Sequence, residues 1–247
     1  MVLNRPDKHN AFDDSVIAQL RSCFDNLAER EDIRVVVLAS EGKSFSAGAD
    51  LSWMKRMANY SREDNLNDAR LLAGMLKALH QLPQTTIAQV QGAAFGGAVG
   101  LVSCCDIAVA SEQASFALSE VRIGLIPATI SPYVISAMGE RAARRYFMSG
   151  EQFDAIQAQQ LGLVSEVVDV DALPGEVNRI VKAVLNNSPQ AVRAAKKLVA
   201  AVAGKEINAK LIEQTCELIA DIRVSDEGQE GLSAFIQKRR PVWLDRN

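Results

Sequence analysis

The sequence predicts a layered α/β domain with parallel crossovers, followed by a mostly helical last third. Three observations carry this. Short β-branched runs bounded by turn residues alternate with amphipathic stretches in the first half, strand signals fade after Pro127, and apolar residues then recur at helical spacing almost to the end.

Taken in chain order, Met1-Val2-Leu3-Asn4 reads as the end of a strand whose start is missing. Residues 12–30 carry apolar side chains at i, i+3, i+4 and i+7, the stripe of an amphipathic helix. Residues 34–39, Arg-Val-Val-Val-Leu-Ala, have the composition of a buried strand, and a small-residue turn, Phe45-Ser46-Ala47-Gly48-Ala49-Asp50-Leu51, follows. Residues 65–81 repeat the helical spacing, and 86–91 and 107–110 read as two more strands. Between them the glycine-rich residues 92–100 open a helical run. Beyond Pro127 the spacing predicts helices over 132–148, 153–160, 173–185, 189–202 and 207–222, with one strand at 164–168. The Ser188-Pro189 step marks the expected boundary between a core, 1–188, and a helical subdomain, 189–247.

Composition excludes several classes of function. With 247 residues, 48% of them hydrophobic, the chain can bury a large core. A formal charge of -3 offers no basic footprint for nucleic acid. The longest apolar stretch, 93–110, is broken by Gly96, Gly97, Gly100, Ser103 and Asp106, so no membrane span is expected. No secretory leader opens the chain, and four cysteines without a CxxC spacing read as reduced thiols in a cytoplasm. His9 and His80 are the only histidines and no G-x-S-x-G is present, so neither a hydrolytic triad nor a zinc site is expected.

Residues 92–100 match neither G-x-G-x-x-G nor G-x-x-x-x-G-K-[ST], and close helix packing explains such glycines as well as a phosphate loop does. Two small-residue turns, each following a strand, can however present backbone N–H groups to one oxygen as an oxyanion hole. A third segment, running from Phe116 through Glu120 and Gly124 to Pro127, makes the combination specific.

These blocks, together with Asn4-Arg5-Pro6, Asn10-Ala11, Gly162-Leu163-Val164 and residues 230–239, resemble the signatures of the crotonase (enoyl-CoA hydratase/isomerase) superfamily over essentially the whole chain. Residues 99–106 and 119–132 are most similar to those of bacterial methylglutaconyl-CoA hydratases of leucine breakdown. The resemblance implies a crotonase (ClpP/crotonase-like) α/β fold of repeated ββα turns, with a C-terminal helical region that makes homotrimers or homohexamers. It implies an acyl-CoA thioester as substrate, with no separate cofactor and no metal. The N–H groups of Ala49 and Gly97 would hold the thioester oxygen, and Glu120 would transfer protons. Lys8 and His9 would meet the adenine of coenzyme A, and Ala47, Asp50, Leu51 and Ser52 would flank the pantetheine. Phe235 and Lys238 would close the groove from the C-terminal helix.

One departure stands out. Where two-glutamate hydratases carry their other carboxylate, three residues after the oxyanion glycine, this chain has Gly100. Glu120 alone, or Glu120 with a substrate group or another side chain, must then handle the water. The resemblance favours hydration of 3-methylglutaconyl-CoA, whose distal carboxylate Lys55 or Arg56 could meet. A Δ3,Δ2-enoyl-CoA isomerase needing one base is the alternative, and a non-catalytic binding protein on the same fold is a second.

Overall fold

The computed structural model describes residues 1–245 and threads the first half of the chain through two sheets in turn. After β1 (Val2–Leu3) and α1 (Asp14–Ala28), the pair β2 (Val35–Ser40) and β3 (Ser44–Ser46) leads into α2 (Leu51–Met57) and α3 (Arg62–His80). The pair β4 (Thr85–Val90) and β5 (Ala93–Phe95) leads into α4 (Gly97–Cys104). The pair β6 (Ile107–Ser111) and β7 (Ser115–Ala117) leads into a 3-10 turn at Glu120–Ile123 and then α5 (Ser131–Ser149). Three further elements follow, β8 (Gln152–Asp154), α6 (Ala155–Gln160) and β9 (Glu166–Val168). One sheet has the strand order β1-β2-β4-β6-β9, and the other the order β3-β5-β7-β8. The fold is therefore the repeated ββα architecture of the crotonase type.

The chain divides into two units, residues 1–82 with 86–178, and residues 83–85 with 179–247. In the first, α1 starts where Asp13 accepts a hydrogen bond from the Val16 amide, and it buries Ile17, Leu20 and Phe24. A capping box between Ser61 and Asp64 starts α3, whose Met75, Leu76 and Leu79 are fully buried. α4 is apolar on every side, and six of its eight residues are buried, as a helix inside a core must be. Thr86 and Asp106 exchange amide hydrogen bonds through their side chains, 2.8 and 2.9 Å long, which fixes β4 against β6.

Two expected helices are corrected. Residues 153–160 are not one helix, because β8 pairs antiparallel with β7 and the Asp154 carboxylate, accepting from the Gln157 amide at 2.7 Å, starts α6 only afterwards. The expected helix 207–222 begins two residues later, as α9 (Ala209–Val224), because Asn208 caps it.

The second unit holds the end of α7 (Leu173–Leu185), then α8 (Pro189–Val202), α9, α10 (Asp226–Ile236) and a 3-10 turn at Val242–Leu244. Ser188 and Pro189, the expected boundary, are the N-cap and first residue of α8 within this unit. Ser188 Oγ donates to Glu227 at 2.5 Å, which ties the start of α8 to α10. Arg239 grips Glu230 with two bonds of 2.6 Å and pulls that carboxyl down to about 2. Among the described residues no helix is long and apolar enough to cross a membrane.

Candidate active site

The two small-residue turns meet. Phe12 donates its amide to the Gly48 carbonyl at 2.8 Å and accepts from the Asp50 amide at 3.0 Å, a parallel bridge that brackets Ala49. In such a bridge the amide of the bracketed residue points to the other side, and the Ala49 N–H has no acceptor among the described residues. The Gly97 N–H, first in α4, likewise has none, since the opening amides of a helix have no partner within it. A Cβ at Gly48 would lie 2.7 Å from the Phe95 carbonyl oxygen and 3.9 Å from the Gly97 nitrogen. Glycine is required there by this approach and by φ of +85°. The Phe12 ring packs on Gly97 so closely that a Cβ would come within 2.7 Å of it. Two unpaired amides, from separate strand-to-helix turns, thus sit beside each other.

Glu120 opens the 3-10 turn after β7, and its carboxyl reaches the same place. Gly96, at φ +54°, is the N-cap of α4, and a Cβ there would lie 3.0 Å from Glu120 Oε1. Glu120 Oε2 is buried without a hydrogen-bond partner among the described residues. Burial pushes this carboxyl above the usual glutamate range. A carboxyl shifted in that direction is better suited to give a proton as well as to take one than an ordinary surface glutamate is. Leu118 and Trp53 are buried, whereas Ile123 and Leu125 are 59% and 53% exposed in this chain. The Cys104 thiol on α4 is no competing nucleophile, because burial drives it far up.

The position expected to lack a second carboxylate is filled by hydrocarbon. A Cβ at Gly100 would collide with Ile130 Cγ2 and lie 2.9 Å from Ile130 Cβ, with Leu76 Cδ2 at 3.5 Å. Neither Ile130 nor this contact is visible in the sequence pattern, because the two segments lie thirty residues apart and meet only through the fold.

The residues expected to bind coenzyme A lie in different settings. Lys8 Nζ binds Asp50 at 3.2 Å, so its charge is directed onto that carboxylate. The hydrogen bond from Lys8, outweighing desolvation, holds the Asp50 carboxyl below its ordinary value. Asp50 also caps α2 by accepting from the Ser52 amide at 2.8 Å, and Arg5 bridges toward it from Asp13, the cap of α1. His9 pairs with Ser44 Oγ at 3.2 Å, and the Ala47 amide donates to the His9 carbonyl. Leu51 and Ser52 are exposed at the start of α2. In the second unit Phe235 is 83% exposed on α10, and Lys238 follows it at φ +54°. Arg56 is engaged with Asp14 at 2.5 Å, while Lys55 is exposed on α2.

The network around Asp50 holds the residue next to Ala49 in place. Asp50→Ala removes the α2 cap and is expected to lower stability by about 1 kcal/mol. Because the folded-state Asp50 carboxyl lies below its ordinary 3.8, its contribution is present above that pH and is lost as pH falls through the lowered value. Thermal melts of wild type and Asp50→Ala should accordingly converge in acid and differ at neutral pH.

Known proteins share this arrangement of the whole chain. The family model for enoyl-CoA hydratase/isomerase matches residues 1–246. The 2,3-dehydroadipyl-CoA hydratase of Escherichia coli is 33% identical over 247 residues, covering 100% of this chain and 94% of that protein. The mevalonyl-coenzyme A hydratase of Aspergillus fumigatus is 32% identical, with 98% and 90% covered. An enoyl-CoA hydratase structure from Shewanella pealeana superposes with a TM-score of 0.95 at 48% identity, covering 98% of this chain and 91% of that one. Matched by the family model over residues 1–246 and in fold over 98% of its length, the chain belongs to the enoyl-CoA hydratase/isomerase family.

Proposed function

We propose that this protein is an acyl-CoA hydratase that adds water across the 2,3 double bond of an enoyl thioester, with 3-methylglutaconyl-CoA as its substrate in leucine catabolism. The observation that carries the reading is the buried carboxyl of Glu120, its Oε2 without a partner, against the Gly96-Gly97 turn and beside two unpaired amides. Hydratases among the relatives, including one named for a dehydroadipyl thioester and one for a mevalonyl thioester, support the reaction class. The resemblance of residues 99–106 and 119–132 supports the methylglutaconyl assignment.

In this reading the thioester oxygen lies between the Ala49 and Gly97 amides, which take up the charge that develops on it. The water oxygen bonds to C3 as its proton passes to the Glu120 carboxylate. The electron pair of the double bond moves onto the thioester oxygen as an enolate, and C2 then takes a proton from Glu120. The carboxylate is regenerated, so one group serves as base and then acid. Coenzyme A would lie along Ala47, Asp50, Leu51 and Ser52, with Lys8 and His9 toward the adenine.

A panel of crotonyl-, 3-enoyl- and 3-methylglutaconyl-CoA tests the reading. The methylglutaconyl thioester should be hydrated with the highest kcat/KM. The single carboxyl also suits a proton shuttle between C4 and C2, and shift of the 3-enoyl double bond without hydration of any thioester would favour the isomerase instead. Turnover of none would leave the binding protein.

We also propose a homotrimer or homohexamer. Val199, Ile207, Val224, Phe235 and Ile236 in the second unit are each at least 65% exposed in the single chain, which is apolar surface suited to burial between copies. Sedimentation should find no stable monomer at micromolar concentration.

A further inference from the structure

Gly100 lies in α4 four residues after Gly96, the N-cap of that helix, about 6 Å further along the axis. At the upper position the space a side chain would fill holds Oε1 of Glu120, and at the lower one it holds the side chain of Ile130. Ile130 is 2% exposed and Leu76 behind it is fully buried. Ile130 is also the N-cap of α5, so its backbone is anchored by the helix that follows. A neighbour so held cannot step aside for a new group, and a carboxylate there would enter a wall of hydrocarbon.

We infer that Ile130 is a specificity-determining residue: by filling the volume above Gly100 it confines the site to one enzyme carboxyl, to the disadvantage of plain enoyl thioesters that bring no polar group of their own to share the water. This rests on the hydratase reading and on the role of Glu120. Its structural half is independent of both, because the Gly100 and Ile130 contact exists whatever the reaction is. Gly100 and Ile130 form a complementary pair, in which volume added at one position must be removed at the other.

Two sets of variants test this in the full-length protein. In the first, Gly100→Ala and Ile130→Gly are each expected to lower the melting temperature, and the double variant is expected to melt above both, since the new methyl group occupies the vacated space. Additive losses would overturn the contact without bearing on hydration. In the second, Gly100→Glu alone is expected to lose the fold or its activity, whereas Gly100→Glu combined with Ile130→Gly is expected to hydrate crotonyl-CoA at least tenfold faster than Ile130→Gly alone. A Gly100→Glu protein with parental melting temperature and rate, or a folded double variant no faster on crotonyl-CoA than Ile130→Gly, would overturn the role assigned to Ile130. Failure of the wild-type protein to hydrate any thioester would instead count against the functional reading, and it would leave the melting result standing.

Discussion

Glu120→Gln is expected to lower turnover by at least about 10²-fold and up to about 10⁴-fold, the usual contribution of a positioned general acid and base. The same substitution should leave the melting temperature unchanged or raise it at neutral pH. The sign follows from burial. Because the folded-state carboxyl titrates above the ordinary 4.5, the fold is favoured where the group is protonated and loses stability as pH rises through the folded value. A neutral amide removes that cost while keeping the shape. Loss of activity together with loss of fold would mean that Glu120 is a structural residue. Circular dichroism melts beside the hydration assay separate the two outcomes.

Gly48→Ala is expected to be nearly as damaging, though it touches no atom proposed to react. The added methyl group would meet the Phe95 carbonyl oxygen at 2.7 Å, and φ of +85° disfavours any side chain. Backbone atoms on both sides leave no flexible group to move, so the Ala49 turn must shift away from Gly97. Loss of one oxyanion donor typically costs roughly 10²–10³ in turnover, about 3–4 kcal/mol. The loss should fall on kcat, with the affinity for coenzyme A retained in equilibrium binding. An unchanged kcat in a folded Gly48→Ala protein would remove the Ala49 amide from the mechanism.

How much of this was legible depended on the distance over which each feature is encoded. β2, β4 and β6 were readable because each is a run of five or six residues rich in β-branched and small side chains, bounded by turn residues. β3, β5, β7 and β8 are three residues each, too short for any period to register, and Phe153 in β8 was absorbed into the helix that follows. α8 was found with both ends correct because Ser188-Pro189 is a start signal written in adjacent residues. Ala49, Gly97 and Glu120 could be proposed only through the resemblance, since a free amide or a lone carboxylate has no local signature. The pairings of Lys8 with Asp50, Arg56 with Asp14 and Ile130 with Gly100 are through-space facts, which no spacing along the chain encodes.

The central claim is that one desolvated carboxyl, Glu120, is both acid and base of the reaction, and the pH profile of kcat/KM for 3-methylglutaconyl-CoA hydration tests it most directly, because that profile reports the ionisations of the free enzyme. An ionisation raised above the ordinary glutamate value of 4.5 is expected in the wild-type protein, and it should be absent from the residual activity of Glu120→Gln. A profile that is governed only by an ordinary carboxyl, or one that persists unchanged in Glu120→Gln, would contradict it.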